Sequence, residues 1–494
     1  MIPVVDVFAG PGGLGEGFHN SLDSRGEQRF KLSLSIEKDA FAHRTLTLRA
    51  LKRTFADEVP LAYDRFLRGE IGWNDLRDGL VHPFQIADAE ARRIELGPDT
   101  VASVRDLIRR AVSPDNPWVL IGGPPCQAYS LAGRARNRGV EGYDAATDHR
   151  QTLYVEYLQI LADHAPPVFV MENVKGLLSA RLESQHLFQR IVDDLSDPSV
   201  ALKREGRGSV ASRCRYEVRP IVQSAGLFAD DPKDYVVRAE EYGIPQRRHR
   251  VILVGVRSDV GRDVGVLTPG TRPATVRQAL HGLPRVRSGI STGTDSEDAW
   301  MATLARMGQS AWYGNGIGVN VRKAIRQALD RATRPAERRG AEFIERDGEP
   351  ILNHSTRSHI PADLERYMFA SAFAKVESRS PTLGDFPRAL LPQHSNVAQS
   401  LLSGMFSDRF RVQLAGAPST TITSHISKDG HYYIHHDPTQ CRSLTVREAA
   451  RLQTFPDDYF FCGPRTSQYH QVGNAVPPEL ARQIAHAVAP ALGT

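Results

Sequence analysis

The chain has little cysteine, little lysine and no long hydrophobic run. Its four cysteines, Cys126, Cys214, Cys441 and Cys462, lie far apart in 494 residues and form no C-x-x-C pair. That argues against a disulfide framework or a zinc finger. No apolar run approaches the roughly 18 residues that a bilayer span requires, so no membrane role is expected. The N-terminus, Met1 to Asp6, has no basic segment and soon meets a carboxylate, unlike a secretory signal, and the expected compartment is the cytoplasm. Lysine supplies only nine of the 62 basic residues and arginine the other 53. Arginine suits bidentate contacts with phosphate and guanine, although a GC-rich genome produces the same excess.

What is present describes a globular protein: 41% hydrophobic residues, 24% charged residues, a net charge of +5 and a mean hydropathy of −0.35. At roughly 100 to 200 residues per domain, this length predicts about two to four domains. The start reads as a strand, Val4–Phe8, running into the glycine-rich turn Ala9–Gly15 and a short helix. Further strands are expected at Lys31–Ile36, Trp118–Ile121, Pro167–Met171 and Val251–Gly255. Strands alternating with helical stretches predict an α/β fold with a doubly wound sheet. Residues 50–112 are charged, helical in pattern and carry no legible motif. Ala128–Asp148 is a long polar stretch of the kind that forms lids and binding loops.

Residues 270–420 break this rhythm. They hold 20 basic against 14 acidic residues, a module suited to a polyanion, with helices predicted over Val319–Arg334 and Ala362–Val376. Beyond them, Asp429-Gly430 between β-prone stretches predicts a hairpin over Ser427–Ile434. Ser443–Gln453 reads as a helix capped near Thr445, with Glu448 three residues on.

Several residues invite chemistry. The glycine-rich turn is a weak sign of cofactor binding on its own, strengthened by Glu37 at the next strand end, where a carboxylate can bind ribose hydroxyls. The turn is read as favouring an adenosine-type cofactor over a dinucleotide. Pro124-Pro125-Cys126-Gln127 puts a thiol behind two rigid prolines. Its bland alternative is an inert buried cysteine, because a free thiol, with a pKa of about 8.5, needs cationic surroundings to act as a nucleophile. Cys214, Cys441 and Cys462 lack such a setting and read as packing residues. Glu172, before Asn173 and Val174, ends an apolar strand and could share a proton with a substrate nitrogen; an ion-paired structural carboxylate is the alternative. The run Gln246–Arg250 would put Arg248 and Arg250 on one side of an extended chain, or form a solvated basic face. His425, His431, His435 and His436 fit a half-exposed hairpin better than a metal site, and no metal is expected.

In order along the chain, Asp6–Gly13, Pro124–Gln127, Glu172–Val174, Gln246–Arg250, Arg447–Gln453 and Gly473–Pro478 resemble the motif series of bacterial DNA (cytosine-5) methyltransferases. The resemblance implies a Rossmann-like methyltransferase domain over 1–269, a smaller target recognition domain over 270–420 that binds DNA, and a segment 421–494 completing the catalytic domain. It implies S-adenosyl-L-methionine as cofactor, held by Phe8, Gly10, Pro11, Gly12, Leu14, Glu37, Asn474 and Ala475. Asp88 and Asp106 compete for the family's adenine-contacting carboxylate.

In the implied reaction Cys126 adds to carbon 6 of a flipped cytosine. Glu172 engages N3, Arg248 and Arg250 steady the O2 edge, and carbon 5 takes the methyl. Gln127, Ser130, Arg134 and Arg136, with Gly133, would contact DNA. The implied partner is duplex DNA, bound by a monomer serving a restriction-modification or other phage-defence system, with cognate restriction or defence proteins as further partners. The alternatives are an RNA cytosine-5 methyltransferase of the same fold and a catalytically silent DNA-binding protein.

Overall fold

The computed structural model describes the chain apart from residues 56–57, 114–115, 126–148, 180, 183–184, 210–213, 223–230, 271, 315–316, 333–341, 347–348, 394–396, 398–399, 401–403, 405–406 and 494. It divides into two compact units, Met1–Pro60 with Asn74–Arg272 and Ala475–Thr494, and Leu61–Trp73 with Pro273–Asn474. The expected partition kept 421–494 together, whereas here the chain passes between units at Asn474 and Ala475. Leu61–Trp73, inside the stretch that carried no legible motif, packs with the second unit. Phe66 there meets Trp73 and Phe460 edge-on at 5.8 and 6.1 Å, and Arg68 binds Glu345 at 2.8 Å.

The first unit is built on an eight-stranded sheet: β1 (Ile2–Val7), β2 (Phe30–Glu37), β3 (Ala91–Arg93), β4 (Val119–Gly122), β5 (Val168–Val174), β6 (Tyr216–Arg219), β7 (Val236–Arg238) and β8 (His249–Arg257). The order is β3-β2-β1-β4-β5-β8-β6, with β7 also paired to β8. Strands β1 to β5 run parallel to one another, and β8 is antiparallel to β5, β6 and β7.

A parallel sheet is covered on both faces, so its strands are apolar almost throughout. Val4 enters one core with Leu14, Phe18 and Ile484, while Val5 and Val7 enter the other with Ile108, Leu158 and Leu161. Helix α1 (Gly13–His19) lies so close to the C-terminal helix Pro478–Val488 that a Cβ on Gly17 would stand 2.3 Å from the Ala481 Cβ and the Pro478 carbonyl. This contact brings the end of the chain back to the glycine-rich turn.

The second unit has its own core, with Trp300 and Leu304 from the helix Glu297–Gln309, Ile325 from Val319–Ala332, and Tyr367 and Phe369 from Pro361–Glu377. The helix Val446–Leu452 carries the expected capping box between Thr445 and Glu448.

The hairpin expected over Ser427–Ile434 is absent. Short 3-10 turns, Ser424–Ser427 and His431–Tyr433, stand there instead, and Ile434 bridges Val412 and Ser443. Gly430 sits at φ −78°, outside the left-handed region that a tight Asp-Gly hairpin turn needs, and Asp429 accepts the His431 N–H. Among the described residues no helix is long and apolar enough to cross a membrane, and no group of three or more His, Cys, Asp or Glu could hold a metal ion.

Candidate active site

At the carboxyl end of β1 the chain turns sharply. Phe8, Gly10 and Gly12 all adopt positive φ (56°, 57° and 93°). For Phe8 this is a strained conformation that costs about 1 to 2 kcal/mol. Its ring packs against the core on the Val5 and Val7 side. The Gly10 N–H donates to Glu37 Oε2 at 2.8 Å, and Glu37 Oε1 accepts from the Lys38 and Asp39 amides at 2.9 and 2.8 Å. The carboxylate that ends β2 therefore braces the turn that ends β1. A Cβ on Gly10 would meet nothing within 4 Å, so the turn faces open space. Pro11, Gly12 and Leu14 are buried beneath it.

Two buried carboxylates lie under this turn and differ in their partners. Glu16 on α1 binds Arg49 at 2.5 Å and faces Arg53 at 3.6 Å; these cations outweigh its burial and pull its pKa down to about 2. Asp6 is 1% exposed and makes no ion pair among the described residues. Burial pushes its carboxyl well above the usual range, opposed by the Gly15 main chain and reinforced by Glu37.

At the carboxyl ends of β4 and β5 a second cluster forms. Arg250 Nε stands 2.7 Å from Glu172 Oε1, and each side chain is 14% exposed. Their meeting depends on register: β8 runs antiparallel to β5, pairing Arg250 with Val174 and Ile252 with Glu172, so the start of one strand lies beside the end of the other. His249, also inside β8, contacts Glu240 at 2.7 Å. The expected strand began at Val251; pairing with β5 and β7 carries the observed one back through His249.

Arg248 precedes the strand and is buried to 1%, its carbonyl accepting the Ala239 N–H. Gly123 lies against the carboxylate, where a Cβ would stand 3.1 Å from Glu172 Oε2. Asn173 is a latch that sequence reasoning quoted without a role: its buried Nδ2 donates to the Pro124 carbonyl at 3.2 Å. It thus ties the end of β5 to the segment leading to Cys126.

Cys126, Gln127, Ser130, Arg134 and Arg136 lie outside the described residues. Asn474 closes a helix of the second unit with its amide 3.2 Å from His470 Nδ1, and Ala475 is buried. Asp88 is on helix Val81–Glu90, paired with Arg77, and Asp106 is on helix Val101–Ala111. The acid at the carboxyl end of β3 is Glu95, missed in the sequence because a three-residue strand has no readable period. The Ile94 N–H donates to the Glu37 carbonyl at 3.1 Å, and Glu95 pairs with Lys38 at 3.1 Å. Cys214, Cys441 and Cys462 are buried.

The family model for C-5 cytosine-specific DNA methylases matches residues 104–198 and 232–489. A type II methyltransferase of Bacillus paralicheniformis, M.Bpa9945I, is 30% identical over 98% of this chain and 98% of its own. The chain belongs to the C-5 cytosine-specific DNA methylases. Other methylases aligned over nearly the whole chain include the type II methyltransferases M.AgeI of Thalassovita gelatinovora, 26% identical over 98% of both chains, and M.DdeI of Desulfomicrobium norvegicum, 24% identical over 98% of this chain and 88% of its own. A solved structure of a candidate DNA modification methyltransferase encoded within an E. coli prophage shares the fold. Its TM-score is 0.52, with 18% identity and full coverage of both chains.

Proposed function

We propose that this methylase transfers a methyl group from S-adenosylmethionine to carbon 5 of a cytosine flipped out of duplex DNA, as the modification arm of a restriction-modification system. The observation that carries this reading is the Glu172–Arg250 pair, 2.7 Å apart and packed against Gly123, three residues before Cys126. The pair keeps a carboxyl group oriented where an aminopyrimidine edge could meet it.

The turn's residues fit an adenosine-bearing cofactor. Left-handed Gly10 and Gly12 leave the mouth open, and Glu37 uses main-chain amides on both oxygens while carboxylate lone pairs remain for ribose hydroxyls. Phe8, Pro11 and Leu14 supply apolar surface, and Glu95 is the acid nearest the end of β3, in place of Asp88 or Asp106. Ala475 comes from the returning terminal segment; Asn474 remains assigned by resemblance alone. The bound cofactor supplies an electrophilic methyl on a sulfonium.

In the proposed mechanism the Cys126 thiolate forms a bond to carbon 6 and the displaced π pair moves toward carbon 5. A proton passes from the Glu172 carboxyl to N3 as charge builds on the ring and returns when the ring is restored, and Arg250 fixes the orientation of that carboxyl. Arg248, buried just before β8, is proposed to steady O2. After methylation a base takes the carbon 5 proton, the ring double bond returns, and the Cys126 sulfur leaves with its electron pair. Flipping costs a few kcal/mol, offset by contacts in the pocket. Gln127, Ser130, Arg134 and Arg136 are proposed DNA contacts, and the second unit is proposed to read the target.

Transfer of labelled methyl to mixed genomic DNA and to transfer RNA, with Cys126→Ser alongside, tests this function. Label in DNA that requires Cys126 is expected. Label confined to RNA would leave the fold and change the substrate, and label in neither would overturn the reading.

A further inference from the structure

Within the second unit, several chain segments enclose a groove of about 740 Å³ lined by none of the site residues named above. Arg277 and Arg285 come from one wall, Arg331 from the end of the helix Val319–Ala332, and Lys375 from the last turn of Pro361–Glu377. Residues 412 and 414–417 and the turn His436–Thr439 complete it. Four cations therefore face one carboxylate, Asp437.

That carboxylate is already committed. It accepts the Thr439 N–H and Oγ1–H at 3.0 and 2.8 Å and Gln440 Nε2 at 3.1 Å, and it faces Arg285 Nε at 3.4 Å. Arg285 is fixed further by a 2.5 Å bond to Thr439 Oγ1. Arg277, Arg331 and Lys375 are exposed and pair with no carboxylate among the described residues. Arg277 sits on a pinned backbone, because the Val276 and Arg277 amides donate to the Ala417 and Ala415 carbonyls at 2.9 Å. Beside it, His436 stacks on His435 at 4.4 Å and keeps a buried Nδ1 without a hydrogen-bond partner.

A solvated basic face spreads its charges along one element. Here cations from separate segments converge on one concavity and leave their charge unanswered, which suits a ligand carrying several negative charges. The geometry points to a phosphate-binding site in the second unit, with Arg277, Arg331 and Lys375 as its anion contacts and Arg285 oriented by Asp437. The phosphates come either from the DNA backbone or from a free polyphosphate. The first source rests on the proposed DNA substrate, while the chemistry of the groove does not.

The test uses the full chain and a triple variant, Arg277→Gln, Arg331→Gln and Lys375→Gln. Duplex affinity is measured across salt concentrations, and inorganic triphosphate binding by calorimetry. Lys203→Gln, an exposed site in the first unit, serves as control. If the backbone is the source, the slope of log affinity against log salt falls by about 2 to 3 in the triple variant, with the target sequence unchanged and the control unaffected. If free polyphosphate is the source, triphosphate binding is lost while the duplex slope stays.

Unchanged slope and unchanged triphosphate binding in a variant that melts like wild type would overturn the site. So would a changed target sequence at constant slope. Should the triple variant fail to fold, each single variant is expected to lower the slope by about one or to weaken triphosphate binding, and no change in any of them overturns the site. Triphosphate binding in a chain that methylates no DNA would separate the groove from the functional reading, and methylation with an inert groove would do the reverse.

Discussion

At β1 and β2 the sheet is parallel, and both strands deliver their functional groups from their own carboxyl ends: the glycine-rich turn from one, Glu37 from the other. At β5 and β8 it is antiparallel, and the carboxyl end of one strand meets the amino end of its neighbour, joining Glu172 to Arg250 across 78 positions of sequence. The first arrangement is held by main-chain amides that brace Glu37, and the second joins two charged side chains directly. The parallel end should therefore govern cofactor affinity and the antiparallel end the chemical step.

The sharpest way to break this comparison is Glu172→Gln. It is expected to lower kcat by about 10² to 10⁴-fold with cofactor affinity within twofold of wild type. Single-turnover methyl transfer and cofactor calorimetry measure the two effects, and equal losses in both would erase the distinction. At the other end, Glu37→Ala is expected to weaken cofactor binding about tenfold, or ~1.4 kcal/mol, while kcat at saturation holds. Gly10→Ala is a milder version. The space is open, but φ of +57° costs an L side chain about 1 to 2 kcal/mol, read as lower cofactor affinity or a lower Tm.

The smallest effect concerns the carboxylates beneath the turn. Asp6 is raised in the folded state, so its favourable contribution exists below its ordinary pKa and is lost as pH rises through the folded value. Asp6→Asn is expected to raise Tm by a few degrees at pH 8 and to leave it nearly unchanged at pH 4. Glu16, held down to about 2 by Arg49, has the opposite sign. Its contribution is present above about 4.5 and is lost as pH falls toward 2, so Glu16→Gln should cost stability at pH 8 and little at pH 2. Thermal melts of both variants across this range check the signs.

Legibility in the sequence follows the same divide. The glycine-rich turn and the strands flanking it are local patterns, and they stand where periodicity and turn chemistry put them. Arg250 reaches Glu172 only through antiparallel pairing, which no local pattern encodes. The sequence reading puts Arg248 and Arg250 on one side of an extended chain without naming the strand beside them. The bracing of Gly10 by Glu37 and the Asn173 latch on Pro124 were equally invisible, because each joins segments dozens of residues apart. Leu61–Trp73 could not be assigned to the second unit because its partners, Glu345 and Phe460, lie hundreds of positions away. The hairpin expectation failed because Asp-Gly signals a turn without fixing its handedness.

The central claim is that Cys126 bonds to the target base beside the Glu172–Arg250 pair. A duplex containing 5-fluorocytosine at the mapped target tests it, because fluorine cannot leave as the carbon 5 proton does. Incubation with S-adenosylmethionine should yield a stable protein–DNA adduct whose tryptic mass maps to Cys126. An adduct at another residue, or methylation of the natural target with no adduct to the fluorinated one, would contradict the account.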